Sequence, residues 1–385
     1  MSVISPAHIT DIAGGVYNLE KQNVSQALRN GAALGCEGMF KVCDESRFNG
    51  KTGGHLYNRL SGFGYIAEGE GVRQGEVLIA IRGTNIASGR DWLTDARAGF
   101  CRGDSGQPVH IGFQKTWESF AGDIREYLRG KNPTAIHCVG HSLGGALATL
   151  CADYCVANRV SLVSLYTLGS PRVGMDGFSN ALTAKLGAEN IFRISHAADP
   201  VPTVPIYPFC HVPYQTRNYV VGGTGLIVNP LAHTMTSYNK AIGQASWSSL
   251  LDRSSPILLA DEVKRWLETV SAGGGITAFA ADSLAMIGKV LGSILEQDYQ
   301  SWGIDCISYY TALDHLAHMV ERGIKFNRET EEQLKTVMNA ILRFIGRSAV
   351  TISELTLAFV QWVLELFYST VQTMATQALR GLRQD

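Results

Sequence analysis

Between residues 31 and 213 short apolar runs alternate with longer stretches whose apolar residues recur at helical spacing. EVLIAIRGT, AIHCVG, VSLYTLGS and NIFRIS read as buried strands, while WESFAGDIREYL and LGGALATLCADYCV, which fall between them, read as helices. Strands separated by helices cannot pair as hairpins. The alternation therefore predicts an α/β fold with a mainly parallel sheet flanked by helices, whose ligands bind beyond the carboxyl ends of the strands.

After Trp247 the strand-like runs stop. DEVKRWLETV repeats apolar residues at Val263, Trp266, Leu267 and Val270, and TEEQLKTVMNAILRFIG does so at Leu334, Val337, Met338, Ile341 and Leu342. Thr330, Glu331 and Glu332 form a plausible cap and first turn for the second, and Ser271 to Gly275 reads as a loop. The expected organisation is a core over 1–250 followed by an all-helical region over 251–385. Two segments of that region are unusually apolar, ITAFAADSLAMIGKVLGSIL and LTLAFVQWVLELFY. Neither suits a membrane span: Asp282 and Lys289 lie inside the first, each costing ~2.5–3.5 kcal/mol at a bilayer centre, and the second is shorter than the ~20 residues required. Two readings stay open, helices buried in a bundle and helices that dock on a membrane surface or a protein partner of unknown identity.

Composition narrows the partners. At 385 residues and 45% hydrophobic, the chain can bury a sizeable core. With 17% charged residues and a formal net charge of −1, nothing favours nucleic acid. The N-terminus, MSVISPAHITDIAGG, has neither a basic region nor a continuous apolar one, so no secretory signal is expected. That reading implies synthesis in the cytoplasm, with export by a leaderless route left open. Cys138, Cys151 and Cys155, among eight cysteines, look like small core residues. Cys151 and Cys155 share a helix spacing without a second ligand pair to complete a zinc site, so no metal is expected.

The chemistry centres on CVGHSLGGALATL. Gly140-His141-Ser142-Leu143-Gly144 is a G-x-S-x-G sequence that follows an apolar strand and precedes a helix, the context in which that pattern forms a nucleophile elbow. The turn is sharp, so small residues are needed on both sides of Ser142. At the helix N-terminus the backbone N–H of Leu143 is placed to serve an oxyanion. The alternative is a tight turn in which Ser142 caps the helix.

A nucleophilic serine needs a base and an acid that orients it, and in elbow enzymes the chain order is Ser, Asp or Glu, His. Asp199 follows the strand NIFRIS on the same sheet edge and is favoured over Asp176, whose glycine-flanked turn explains it by turn chemistry. Three histidines follow. His196 is too close to the acid in sequence, His211 sits in the packed stretch YPFCHVPY, and His233 lies in a loop entering a short helix. Spacing favours His233 over His211.

With these pieces in hand, the chain resembles the class 3, or fungal-type, lipases of the α/β-hydrolase fold. The resemblance rests on IAIRGTNIASGRDWLTDA, VHIGFQKTWESF, VGHSLGGALATL, YTLGSPRVG, SHAADPVPTVP with HVP, and HTMTSY, in the family's order. It implies a triad of Ser142, Asp199 and His233, with His211 in a packed motif. It further implies Thr84 as the second oxyanion donor beside Leu143, a lid near 85–96 with Trp92 and Leu93 on its apolar face, and Asp95 as a supporting residue.

The resulting expectation is a lipid carboxylester hydrolase, a triacylglycerol lipase or phospholipase A working through an acyl-enzyme with no cofactor. Its substrate is a lipid ester, met at a membrane surface through the lid and the C-terminal helices. Arg90, Arg97 and Arg102 flank the lid and would suit a phosphate head group, although such arginines are commonly just solvated. A helical tail with no leader also looks like some bacterial phospholipase effectors acting on membranes. From another class, the rival is a catalytically silent lipase-fold protein that binds lipids or partners.

Overall fold

The computed structural model describes residues 3–20, 23–52, 59–83, 99–158, 162–223, 226–250, 260–299, 312–326 and 328–381. The helices are α1 (Pro6–Gly15), α2 (Val24–Arg29), α3 (Ile111–Leu128), α4 (Leu143–Ala157), α5 (Asp176–Leu186), α6 (Met235–Ile242), α7 (Ala260–Ser271), α8 (Ala281–Tyr299), α9 (Ala312–Phe326), α10 (Arg328–Phe344) and α11 (Leu357–Gly381). The strands are β1 (Phe40–Thr52), β2 (Arg59–Gly69), β3 (Glu76–Ile81), β4 (Phe100–Arg102), β5 (Pro108–His110), β6 (Ala135–His141), β7 (Leu162–Leu168), β8 (Gly174–Met175), β9 (Ile191–His196), β10 (Phe209–Cys210) and β11 (Tyr219–Val221).

The main sheet has the order β1-β2-β3-β6-β7-β9-β11. β1, β2 and β3 pair antiparallel, and every pairing from β3 onward is parallel. A short antiparallel sheet, β10-β8-β5-β4, lies apart from it. The four strands expected from the sequence are β3, β6, β7 and β9. β3 and β6 are buried along their whole length, which is why their sequences read as continuous apolar runs rather than alternating ones.

Successive residues still face opposite layers. Val77, Ile79 and Ile81 join α3 and α4 in one apolar cluster, through Phe113, Trp117, Phe120 and Leu147. Leu78 and Ala80 join Ile9 and Ile12 of α1 and Tyr238 and Ile242 of α6 in the cluster on the other face. Parallel strands covered on both faces put their carboxyl ends, and the turns after β6, β9 and β11, along one edge.

The C-terminal helices extend the first cluster. Ile287 and Leu291 of α8, Val337 and Ile341 of α10, and Val363 and Phe367 of α11 are buried in one apolar body with Val201, Val204, Ile206 and Val212 of the core. The two apolar segments thus bury their apolar faces in a helical layer packed on the α/β part. α11 lies against the short 3-10 turns Val201–Thr203 and Pro230–His233. Among the described residues no helix is long and apolar enough to cross a membrane.

Removing this layer uncovers large side chains, each worth roughly 1.5–3 kcal/mol when fully buried. A chain ended at Leu250 should aggregate, or stay soluble with a lowered Tm and strong binding of an apolar dye. Melting and dye fluorescence like the parent's would contradict the packing described.

Candidate active site

Ser142 stands between the last residue of β6 and the first of α4, with φ 59° and ψ −133°. A side chain at positive φ costs ~1–3 kcal/mol and persists only where its surroundings impose it. Here the Ser142 N–H donates to Leu168 O at 2.9 Å, and its own carbonyl accepts from Gly145 N–H at 2.9 Å. The two motif glycines permit the approach: a Cβ on Gly140 would run into the backbone of Gly144, and a Cβ on Gly144 into the backbone of Ile81 and Arg82. The capping alternative fails, because the Ser142 side chain makes no cap hydrogen bond. Its Oγ lies 2.8 Å from His233 Nε2 instead.

β9 delivers the acid. In the turn after it, Asp199 Oδ1 accepts from Val201 N–H at 2.9 Å, and Oδ2 lies 2.7 Å from His233 Nδ1. His233 closes the 3-10 turn that follows β11. A carboxylate at Nδ1 holds the proton there, which leaves the Nε2 lone pair for the Ser142 hydroxyl. Ser142 and His233 have no solvent exposure and Asp199 has 4%, so the three groups meet in a closed, water-poor space. The structure therefore brings together the three residues favoured from the sequence.

The rivals lie elsewhere. Asp176 opens α5 in its first turn. His196 Nδ1 accepts from Ala198 N–H at 3.2 Å, and His211 Nε2 accepts from Arg172 Nε at 3.4 Å. Leu143 is the first residue of α4, where an N–H has no intrahelical acceptor and the helix dipole is positive. Thr84, the 85–96 segment with Arg90, Trp92, Leu93 and Asp95, and Arg97 lie outside the described residues. Arg102 sits on β4 and donates to Gly106 O at 3.3 Å across the hairpin turn.

Three groups around the base were not singled out from the sequence. Tyr238 donates its hydroxyl proton to Asp199 Oδ2 at 2.8 Å and accepts from His196 N–H at 3.0 Å. His141 packs against His233 with ring centroids 4.7 Å apart and the planes tilted by 31°, and its Nε2 lies 3.0 Å from the His233 carbonyl. A carbonyl can only accept, so Nε2 carries the proton and Nδ1 accepts from Tyr17 Oη at 2.9 Å. Burial, then His233, holds His141 well below its ordinary value, hence neutral. His141 is the variable position of the serine motif and Tyr238 closes HTMTSY, so both were in view; Tyr17, 124 residues from His141, left no local signal.

The thiols of Cys138, Cys151 and Cys155 gather within 4.8 Å. They are fully buried where α4, which carries Cys151 and Cys155, packs on β6, which carries Cys138, and a structural zinc site would need a fourth ligand.

Residues 78–209 match the family described as Lipase (class 3). Secreted mono- and diacylglycerol lipase 1 of Fusarium solani is 36% identical over 177 residues, 44% of this chain and 51% of that protein. Secreted mono- and diacylglycerol lipase A of Penicillium cyclopium is 31% identical over 223 residues, 55% of this chain and 68% of the relative. A chloroplastic phospholipase A(1) of Arabidopsis thaliana, DAD1, is 30% identical over 155 residues, 34% of each chain. The chain thus spans about half the length of the Fusarium relative and about two thirds of the Penicillium one. The fungal relatives are named as secreted lipases, which contradicts the expectation of a chain synthesised in the cytoplasm without a secretory signal.

Two outcomes test this geometry. Tyr238→Phe leaves Asp199 and the His196 N–H each one partner short in a buried place, and should cost ~1–3 kcal/mol in urea unfolding. An unchanged midpoint would mean the bonds are not made. His137 and His141 are both buried, and burial is the first cause that lowers each below the ordinary 6.5, against Glu76 in the case of His137. The unfolded chain then binds protons that the folded one refuses. Their contribution is fully present above pH ~6.5 and is lost as pH falls below it, so calorimetric Tm should drop between pH 7 and 5. A flat profile across that window would exclude it.

Proposed function

This chain belongs to the class 3 lipase family, and on that premise we propose that it hydrolyses the carboxylic ester bonds of lipids with Ser142 as nucleophile. The observation that carries the reading is the unbroken line Asp199 Oδ2, His233 Nδ1, His233 Nε2, Ser142 Oγ, with contacts of 2.7 and 2.8 Å. Ser142 Oγ attacks the ester carbonyl carbon as its proton passes to His233 Nε2. Asp199 orients the ring and stabilises the imidazolium that forms. The negative charge on the former carbonyl oxygen is met by the Leu143 N–H at the positive end of α4 and by Thr84. Collapse expels the alcohol, which takes the proton from Nε2, and water activated by the same nitrogen then releases the fatty acid from Ser142.

The fungal relatives are named for mono- and diacylglycerols, which favours neutral acylglycerols as substrates here. The Arabidopsis relative, named a phospholipase A(1), supports a second reading with phospholipid. Both require the closed site to open, because Ser142 is wholly covered. The division of labour we assign is chemistry to 1–250 and support to 251–385, whose α11 backs the turns carrying Asp199 and His233. Contact with a lipid surface falls to the 85–96 segment and to exposed apolar residues beside the base turn and on the helical layer, Ile227, Leu231, Phe279 and Trp362.

Ser142→Ala and His233→Ala should each lower kcat by ~10⁴–10⁶-fold on a soluble ester while leaving the fold intact, since nucleophile and base act as a unit. A fluorophosphonate probe should label the parent and neither variant. Activity above about a hundredth of the parent's in either would remove that residue from its role. Release of lysophospholipid rather than loss of diacylglycerol from mixed vesicles would select the second substrate.

A further inference from the structure

A cavity of about 550 Å³ lies between β9, the loop after Asp199 and one face of α8. That volume is within the ~300–1,000 Å³ typical of sites for small organic ligands. Much of its wall is apolar, with Ile206, Phe209, Leu284, Leu291 and Phe367 contributing. Arginine is the unexpected part. Along β9 the side chains alternate, so that Phe192 and Ile194 enter the apolar cluster under α1 and α6 while Arg193 faces the cavity. Arg193 is 8% exposed, and its Nε has no hydrogen-bond partner.

The guanidinium nearest in effect is another cation. Burial first, then Arg172, pushes Arg193 down to about 9. Arg172 also lines the cavity; its Nη1 donates to Pro205 O at 3.1 Å and its Nε to His211 at 3.4 Å, both neutral acceptors. His211 is held neutral by burial and then by the two arginines. A buried guanidinium beside a second one, with an unused donor, is an unfavourable arrangement unless an anion completes it.

α8 leaves room for that anion. Gly288 and Gly292 are one turn apart, line the cavity, and weaken the interior of the helix. A Cβ on Gly288 would lie 4.0 Å from Arg172 Nη2, and one on Gly292 3.5 Å from the Tyr207 ring, so each glycine leaves beside those groups the space that a methyl would fill in ordinary contact. Lys289 adds a further cation to the wall. Two carboxylates also line the cavity: Asp282, six residues from Gly288 and ~9 Å along the axis, and Asp199, whose oxygens are taken by Val201 N–H, His233 and Tyr238.

We propose that this cavity binds an anionic amphiphile, a carboxylate or phosphate bearing an acyl chain, with the charged group between Arg193 and Arg172 and the chain along the apolar wall. Ser142 does not line this cavity, although Asp199 stands in its wall, and the proposal does not depend on Ser142 being a nucleophile.

The test uses the full chain carrying Ser142→Ala, titrated calorimetrically with dodecanoate, dodecyl phosphate, inorganic phosphate and dodecanol. At least one of the two charged amphiphiles should bind, at least tenfold tighter than inorganic phosphate and dodecanol. Adding Arg193→Met or Gly288→Leu should weaken it by about tenfold or more. Preference for the carboxylate identifies fatty acid as the source, and preference for the phosphate a phospholipid product. Gly288→Leu retains both arginines and strengthens the helix, so it reports on the space even if Arg193→Met fails to fold. The proposal is overturned if neither charged amphiphile binds, if dodecanol or inorganic phosphate binds as tightly, or if Gly288→Leu leaves the affinity unchanged.

Discussion

The close approach of β6, β3 and the first turn of α4 is the constraint on which the rest of the molecule depends. Backbone meets backbone there, so positions 140 and 144 accept only glycine. The same approach holds Ser142 at φ 59°, a conformation that would relax if the chain had slack. Once the turn is forced, the Ser142 hydroxyl leaves the helix it would otherwise cap and points along the carboxyl edge of the sheet. The strain is local, but the whole buried sheet supports it: β6 is hydrogen-bonded on both sides, to β3 and to β7, along its length.

Everything opposite Ser142 is held by turns rather than by regular elements. Asp199 and His233 each sit on a short turn, and turns are positioned by what packs behind them. α11 does that from the helical layer, and Tyr238 ties the acid to the backbone of His196. On the other side of the imidazole, His141 and Tyr17 fix the His233 carbonyl and ring face. The family match ends at residue 209, before His233, so the base and the layer that backs it lie beyond the matched span.

β9 shows how one strand can serve two environments. Its period of two sends Phe192 and Ile194 into the core and Arg193 and Ser195 to the other face, where α8 closes over them. Ser195 is satisfied by Asn218 at 3.2 Å, while the Arg193 Nε finds no partner in the protein. The imbalance between these neighbours sets the cavity apart from ordinary imperfect packing.

The alternation of strands and helices, the elbow at Ser142 and the preference for Asp199 and His233 were legible in the chain itself, because each is a local matter. Periodicity states which face of an element is apolar, and the spacing of glycines around Ser142 states how tightly the chain must turn. Local signals could not say what the apolar faces of residues 276–295 and 355–368 would meet. An apolar stripe has the same pattern whether it packs on a core, a membrane or a partner, and only the fold laid these helices on the α/β part. Tyr17 and the pairing of Arg172 with Arg193 were hidden for the same reason: hydrogen bonds and charge between residues far apart in the chain leave no period and no spacing to read. Sequence by itself determined the elements and the strained turn, since backbone sterics and burial act over a few residues; tertiary structure alone decided what stands behind the acid and the base, since those contacts exist only once distant segments have been brought together.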